Sequence, residues 1–179
     1  GWGAWMSEAY KMIYELAEKV NAPVLVSSKA YCCIDKNNKM FLGKLGYGYN
    51  SVIDDFINEY NPDMILSFGS SLGSKDIKNT ELDHLFNIIP TILIADDCSY
   101  ISHRNSNIVG CEVQDMSGFV NKLLESIGSR GENTELYKEI LDARVRAIDY
   151  WNSKILSTDT MASCIQLIDN LCDEQCVVS

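Results

Sequence analysis

Glycine turns that follow short apolar runs are the residues of this chain best suited to bind a ligand. Gly69 and Ser70 come directly after the run at 64–68, and Gly1 and Gly3 lead straight into a helical pattern. Glycine lets backbone N–H groups approach a ligand closely, and a helix amino terminus favours an anion. The pattern predicts a bound pyrophosphate at these turns, with plain chain turning as the alternative.

A second glycine-rich stretch at 42–49 and an acidic strand end extend this candidate site. Tyr47 could stack on a flat ring or simply cover the edge of the core. Asp97 follows the run at 91–95, where a carboxylate could accept a ribose hydroxyl or cap a helix. We expect a dinucleotide or flavin to lie across 1–3, 45–48 and 69–71. The candidate cofactor-binding residues are Gly1, Gly3, Gly46, Tyr47, Gly48, Gly69, Ser70 and Asp97.

No catalytic constellation or metal site is predicted. His84 falls in a polar helical stretch and His103 stands beside Arg104, but the sequence places no nucleophile or orienting carboxylate near either. The seven cysteines are an odd number without paired C-x-x-C spacing, which indicates reduced thiols rather than disulfides or zinc ligands. The adjacent Cys32 and Cys33 are either redox-active or, as we favour, buried and inert.

Short apolar runs alternate with helical periodicity along the chain. Strands are predicted at 24–27, 64–68, 91–95 and 108–113, and helices at 5–20, 52–60, 79–86 and 119–127. This alternation predicts an α/β, Rossmann-like domain with a mainly parallel sheet of five or six strands and helices on both faces. Residues 28–50 show no periodicity, and we predict a long functional loop there.

The remaining segments suggest that this is part of a longer protein. A glycine turn that feeds a helix normally leaves a strand, so we expect the chain to begin inside a βαβ unit. Residues 129–133 are polar and predict a linker, followed by helices near 134–154 and 160–171 and a strand at 175–178. The predicted units are a domain at 1–128, a linker and helix at 129–159, and the truncated start of a cofactor-binding domain at 160–179.

Composition narrows the class of protein. The 179 residues are 46% hydrophobic, which is enough for one principal core. The net charge of -10 argues against a nucleic-acid partner, because phosphate binding needs a basic surface. No apolar run approaches the ~18 residues that span a bilayer. We expect a cytoplasmic protein with neither nucleic-acid nor membrane partners.

Six short motifs occur in the order found in one family. They are Gly1-Trp2-Gly3-Ala4 and the segments at 16–24, 42–48, 61–69, 92–97 and 110–113. In this the chain resembles the central domain of thiamine-diphosphate-dependent enzymes of the acetolactate synthase, pyruvate oxidase and decarboxylase group. The resemblance implies a non-catalytic scaffold or nucleotide-binding domain of a transferase or lyase that acts on 2-oxo acids. It also implies thiamine diphosphate and magnesium in flanking domains, and a parent homodimer or homotetramer.

Three departures from the family pattern bear on flavin binding. Ser71 stands where flavin-bearing members have an Arg, Ala95 where they have the first Asp of a D.D segment, and Cys98 where a proline is usual. The departures remove a guanidinium clamp and a ribose-binding carboxylate, so FAD is expected to bind weakly if at all. The alternative is a stand-alone nucleotide- or FAD-binding module, similar to domains of sirtuins and electron-transfer flavoproteins. On either interpretation we expect the isolated chain to lack thiamine-dependent activity.

Overall fold

The computed structural model describes residues 1–46, 49–73, 77, 81–99 and 107–158. Helices and strands alternate through most of this part of the chain, as the sequence predicts. The helices are α1 (Trp2–Met6), α2 (Tyr10–Val20), α3 (Ser51–Tyr60), α4 (Glu81–Ile88), α5 (Met116–Ser126) and α6 (Thr134–Thr158), with a 3-10 helix at Ser28–Cys33. The strands are β1 (Val24–Val26), β2 (Phe41–Lys44), β3 (Ile65–Phe68), β4 (Thr91–Ala95) and β5 (Ile108–Glu112).

The strands form two sheets rather than one. Strand β1 pairs in parallel with β2, and β3, β4 and β5 form a separate parallel sheet in that order. The predicted parallel pairing is confirmed. The predicted single sheet of five or six strands is not found among the described residues, since no described strand joins β1 to β3. An apolar run marks a strand, but it does not specify the neighbour with which that strand pairs.

Strand β2 and the 3-10 helix at Ser28–Cys33 correct the prediction that residues 28–50 form one long functional loop. Phe41 and Leu42 are 7% and 3% exposed, so this short strand lies in the core. A Cβ on Gly43 would stand 2.8 Å from Cδ1 of Ile53, which is the flexible tip of that side chain. The apolar residues at 40–42 were the only signal of β2, and the glycines around them masked it.

The predicted helix at 5–20 is in fact two helices. Glu8 separates α1 from α2 with a left-handed φ of 57°, a conformation that costs an L-residue energy. Just before the break, the Ser7 hydroxyl donates to the Gly3 carbonyl at 2.8 Å. Helix α2 ends at Asn21, also left-handed with a φ of 57°, as the Asn and the following Pro23 predict.

Helices cover both faces of the larger sheet, as predicted. The consecutive residues Leu93 and Ile94 are 1% and 2% exposed and point to opposite faces of β4. Leu93 belongs to a core formed with α3, α4 and the first half of α6. Ile94 belongs to a second core formed with α1, α2 and α5. No described helix is both long and apolar enough to cross a membrane.

The predicted linker at 129–133 is tied to the domain. The Arg130 N–H donates to the Lys19 carbonyl at 3.0 Å, and the Asn21 side-chain amide donates to the Gly131 carbonyl at 3.0 Å. Lys39 and Glu132 form an ion pair at 2.7 Å. Helix α6 then confirms the helix predicted near 134–154 and runs four residues further. The helix predicted at 160–171 and the strand predicted at 175–178 lie outside the described residues.

Candidate functional site

An open cavity of about 590 Å³ lies where β1, β3, β4 and β5 end. The carboxyl ends of parallel strands are where open α/β sheets bind ligands. Each strand contributes the residues that follow it, and α1 and the start of α5 supply the rest. The lining residues include Ser27 and Lys29 after β1, Gly69, Ser70 and Ser71 after β3, Asp96 and Asp97 after β4, and Val113 and Gln114 after β5.

The two predicted glycine turns meet at one side of this cavity. The Gly3 N–H donates to the Gly69 carbonyl at 2.9 Å, and the Gly1 ammonium group donates to the Phe68 carbonyl at 2.7 Å. Gly69 has a φ of 57°, and a Cβ there would lie 2.4 Å from the backbone nitrogen of Ala4. These glycines therefore allow two backbones to touch. The Gly3 N–H is used for that contact.

Ser70 and Asp97 both line the cavity, as the sequence suggested. The Ser70 hydroxyl oxygen accepts a hydrogen bond from the Leu72 N–H at 3.2 Å. An Asp97 carboxylate oxygen accepts from the Ser99 N–H at 2.8 Å, and this bond lowers the pKa of Asp97. This contact is a local turn at 97–99, and no described helix begins there, so the helix-capping and ligand-binding roles considered for Asp97 both stay predictions.

The structure describes only part of the second glycine-rich stretch at 42–49. Gly46 has a left-handed φ of 78° and does not line the cavity. Tyr47 and Gly48 lie outside the described residues, so their predicted contacts with a ligand remain predictions. Leu45 donates its N–H to the Val26 carbonyl at 2.8 Å, which places the start of this loop beside the end of β1.

Sequence reasoning missed three lining residues, which give the cavity exposed apolar surface and a positive charge. Trp2 is 47% exposed and Met6 is 61% exposed, and both line the cavity from α1. Large apolar side chains that are exposed beside a cavity are typical of ligand contact surfaces. Lys29 brings a positive charge to a cavity that Asp96 and Asp97 also line. The tryptophan next to a glycine turn was the available signal, but its orientation depends on the break at Glu8.

The titratable groups elsewhere in the described chain do not assemble a reaction centre. Burial raises the pKa of the Cys33 thiol, and the neighbouring Cys32 is exposed, so the two side chains occupy different environments. Burial also raises the pKa of Cys98. His84 is exposed, and His103 lies outside the described residues. No group of three His, Cys, Asp or Glu side chains in the described ranges could hold a metal ion.

Comparison with known proteins gives one family. The family model described as thiamine pyrophosphate enzyme, central domain, matches residues 1–122 of the 179. The matched range contains all five described strands and every residue that lines the cavity. A search of curated proteins finds no match to the chain.

Proposed function

Because this chain belongs to the family of thiamine pyrophosphate enzyme central domains, we propose that it is the non-catalytic central domain of an acetolactate-synthase-like enzyme. The parent enzyme would be a transferase or lyase that acts on 2-oxo acids. The observation that carries this proposal is the family match over all five strands.

Family membership implies thiamine diphosphate in the parent enzyme. The described residues of this chain do not fit that cofactor and its magnesium ion, since no cluster of three ligating side chains is present among them. We therefore assign the cofactor and its chemistry to flanking domains. Titration calorimetry of the 179-residue chain with thiamine diphosphate and magnesium should give no saturable heat. Saturable binding with a micromolar Kd would refute this assignment.

We also propose that the cavity binds a nucleotide weakly. Trp2 offers a face for a flat ring, Lys29 a positive charge, and Ser70 a hydroxyl. Affinity is limited because Ser71 and Ala95 replace charged partners, and each lost charged hydrogen bond costs about 1.5 to 3 kcal/mol, roughly ten- to a hundredfold in Kd. FAD retained through purification would contradict weak binding.

The nucleotide proposal can be tested with a matched pair of tryptophan variants. We expect ADP and FAD to bind with a Kd that Trp2→Ala raises, because the indole loses its contact with the ring. Trp5→Ala is the control, since Trp5 lies 4.6 Å from the Trp2 ring, centroid to centroid, without lining the cavity. Equal effects of the two substitutions would indicate a change in α1 rather than loss of a ligand contact.

The alternative is a stand-alone nucleotide- or FAD-binding module without thiamine chemistry. The open cavity at the strand ends favours this candidate as much as the first. The full reading frame discriminates between them. An Asp-Gly pair followed by an Asn, soon after residue 179, would indicate a diphosphate and magnesium site in a following domain. A reading frame that ends without such a segment would favour the stand-alone module.

The same proposal includes a continuous sheet in the complete protein. Ile65 and Gly69 donate their N–H groups toward β4, at 3.0 and 2.7 Å, so Leu66 and Phe68 direct theirs to the opposite edge. The Gly1 ammonium group binds the Phe68 carbonyl on that edge. An extended segment between β3 and β1 would join the two sheets. We further propose domain limits at 128 and 159, a homodimeric or homotetrameric parent, and a cytoplasmic location.

A further inference from the structure

Hydrogen bonds to neighbouring elements fix helix α1 beside the cavity. Its five residues are all described, and Ala4 is the one among them that is buried. Helices this short are not stable on their own in water, and burial of a single alanine adds little apolar area. Trp2 and Met6, which lie on one side of the helix at a spacing of four, both line the cavity. The contacts that hold α1 therefore decide what the cavity presents to a ligand.

Each end of α1 is held by a different element. At its start, the Gly3 N–H donates to the Gly69 carbonyl at 2.9 Å, which joins α1 to the turn after β3. At its end, the Ser117 hydroxyl of α5 donates to the Ser7 carbonyl. The Ser7 hydroxyl donates in turn to the Gly3 carbonyl at 2.8 Å, so one side chain links the two attachments. Helix α1 is thus fixed relative to both β3 and α5.

The Ser7 carbonyl takes its donor from outside α1. The last carbonyls of a helix have no partner within it, and the left-handed Glu8 turns the chain before α2 begins. Ser117 supplies that donor, although it is not among the described residues that line the cavity. The start of α5 has its own cap, because the Asp115 carboxylate accepts from the Gly118 N–H at 2.9 Å. The Ser117 hydroxyl therefore serves α1 rather than its own helix.

We propose that Ser117 is a positioning residue, which holds Trp2 and Met6 beside the cavity through its bond to Ser7. This inference rests on the proposed nucleotide site, since it makes the affinity of that site depend on a hydroxyl outside it. Without the hydroxyl, α1 keeps only its attachment to Gly69, and so short a helix with one free end frays. The Trp2 ring then has to be ordered when a ligand binds, and that ordering lowers the affinity.

Titration of the 179-residue chain with ADP tests the effect on affinity. We expect Ser117→Ala to raise the Kd of ADP by at least about threefold, a change of the size that one hydrogen bond produces. Alanine favours helix, so α5 itself should persist in this variant.

Two further variants separate positioning from a general effect on α5. Ser126→Ala is the matched control, because the Ser126 hydroxyl donates within α5, to the Lys122 carbonyl at 2.7 Å, and should leave the Kd unchanged. Ser117→Thr keeps a hydroxyl at the same place and should keep the Kd of the wild type. Equal effects of the two alanine substitutions, or a threonine variant as weak as Ser117→Ala, would overturn the proposal.

Time-resolved fluorescence anisotropy gives a readout that needs no ligand. The chain has three tryptophans, so a Trp5→Phe, Trp151→Phe background leaves the emission of Trp2 alone. In this background Ser117→Ala should add a fast component, on the nanosecond timescale, that Ser126→Ala does not add. Indistinguishable decays would overturn the positioning role even if the Kd changed. Failure of ADP to bind the wild-type chain would refute the nucleotide site, whereas the anisotropy would still decide whether Ser117 holds Trp2.

Discussion

Gly69 is the residue at which conformation and packing restrict the chain most. Its φ of 57° disfavours any residue with a side chain, and a Cβ would also collide with the backbone of Gly3 and Ala4 at 2.4 to 2.7 Å. Neither contact involves the tip of a flexible side chain, so the backbone itself would have to move. The turn after β3 and the first turn of α1 are therefore held as one unit.

We predict that Gly69→Ala lowers the free energy of unfolding by at least about 2 kcal/mol. The left-handed backbone alone costs an L-residue about 1 to 2 kcal/mol, and the collision adds to it. Urea unfolding followed by far-UV circular dichroism measures the change. Gly128→Ala is the control, because a Cβ there meets nothing within 4 Å. A loss no larger than that of the control would show that the two turns are not in contact.

Tyr14 couples stability to alkaline pH. Its side chain is 5% exposed, its hydroxyl donates to the Cys33 carbonyl at 3.2 Å, and burial raises its pKa to about 12 from an ordinary value of 10.0. Because the folded pKa lies above the unfolded one, the unfolded chain loses this proton first as pH rises. Stability is therefore complete below pH 10 and decreases between about pH 10 and 12.

We predict that Tyr14→Phe removes this pH dependence. At pH 8 the variant should be less stable by about 1 kcal/mol, since the buried Cys33 carbonyl loses its donor. Between about pH 10 and 12 the wild-type chain should lose about 2 kcal/mol more than the variant does. Urea titrations of both chains at several pH values give the difference. Parallel pH profiles would mean that the Tyr14 hydroxyl ionises in the folded chain as it does in water.

The break between α1 and α2 directs Trp2 and Met6 toward the cavity. Glu8 is exposed and left-handed, and the Ser117 hydroxyl of α5 donates to the Ser7 carbonyl beside it. The apolar periodicity continues across this point, so the sequence predicts one helix. A left-handed residue of a type other than glycine or asparagine gives no local signal. Trp2 and Met6 were missed as cavity residues for the same reason.

We predict that Glu8→Gly stabilises the chain by up to about 1 kcal/mol. Glycine adopts a positive φ without strain, and this gain exceeds its larger loss of backbone entropy. Glu15→Gly is the control, because Glu15 is an exposed interior position of α2 where glycine should cost about 1 kcal/mol. Thermal unfolding of the two variants measures both effects. Equal destabilisation by the two substitutions would argue against the break.

The strands show which secondary-structure elements an apolar sequence pattern can predict. Strands β3 and β4 were predicted within one residue, because each is a short, mostly apolar run that follows a proline by a few residues. Strand β2 was missed because glycines interrupt its short apolar run. The site follows the same rule. Gly69, Ser70 and Asp97 follow strands and line the cavity, and Gly3 lines it from helix α1, while their contacts with a cofactor stay predictions. Lys29 belongs to a 3-10 helix, which has no periodicity that the sequence could reveal.

Which strands lie side by side in a sheet depends on packing throughout the molecule and not on each strand's own sequence. Each apolar run identified a strand, but the division into two sheets depends on which strand lies between β1 and β3. The large core that contains Leu93 nevertheless reaches from β2 to β4, because α3 and α6 pack across both sheets. Side-chain packing therefore connects the two sheets, although their backbones are not hydrogen-bonded to each other among the described strands.

Hydrogen exchange of the backbone amides should show that the strands of one sheet are not hydrogen-bonded to those of the other. The Leu66 and Phe68 N–H groups face away from β4, whereas Leu93 lies in the central strand with both neighbours paired. In the 179-residue chain we predict that the amide of Leu66 exchanges about a hundredfold faster than that of Leu93, or more, because only the latter needs a large opening of the sheet. Exchange followed by NMR at several pH values measures both amides.

In a longer protein that supplies a strand along this edge, protection at Leu66 should approach that at Leu93. Equal protection already in the 179-residue chain would mean that the edge of β3 is paired, and would contradict the proposal that a further segment joins the two sheets.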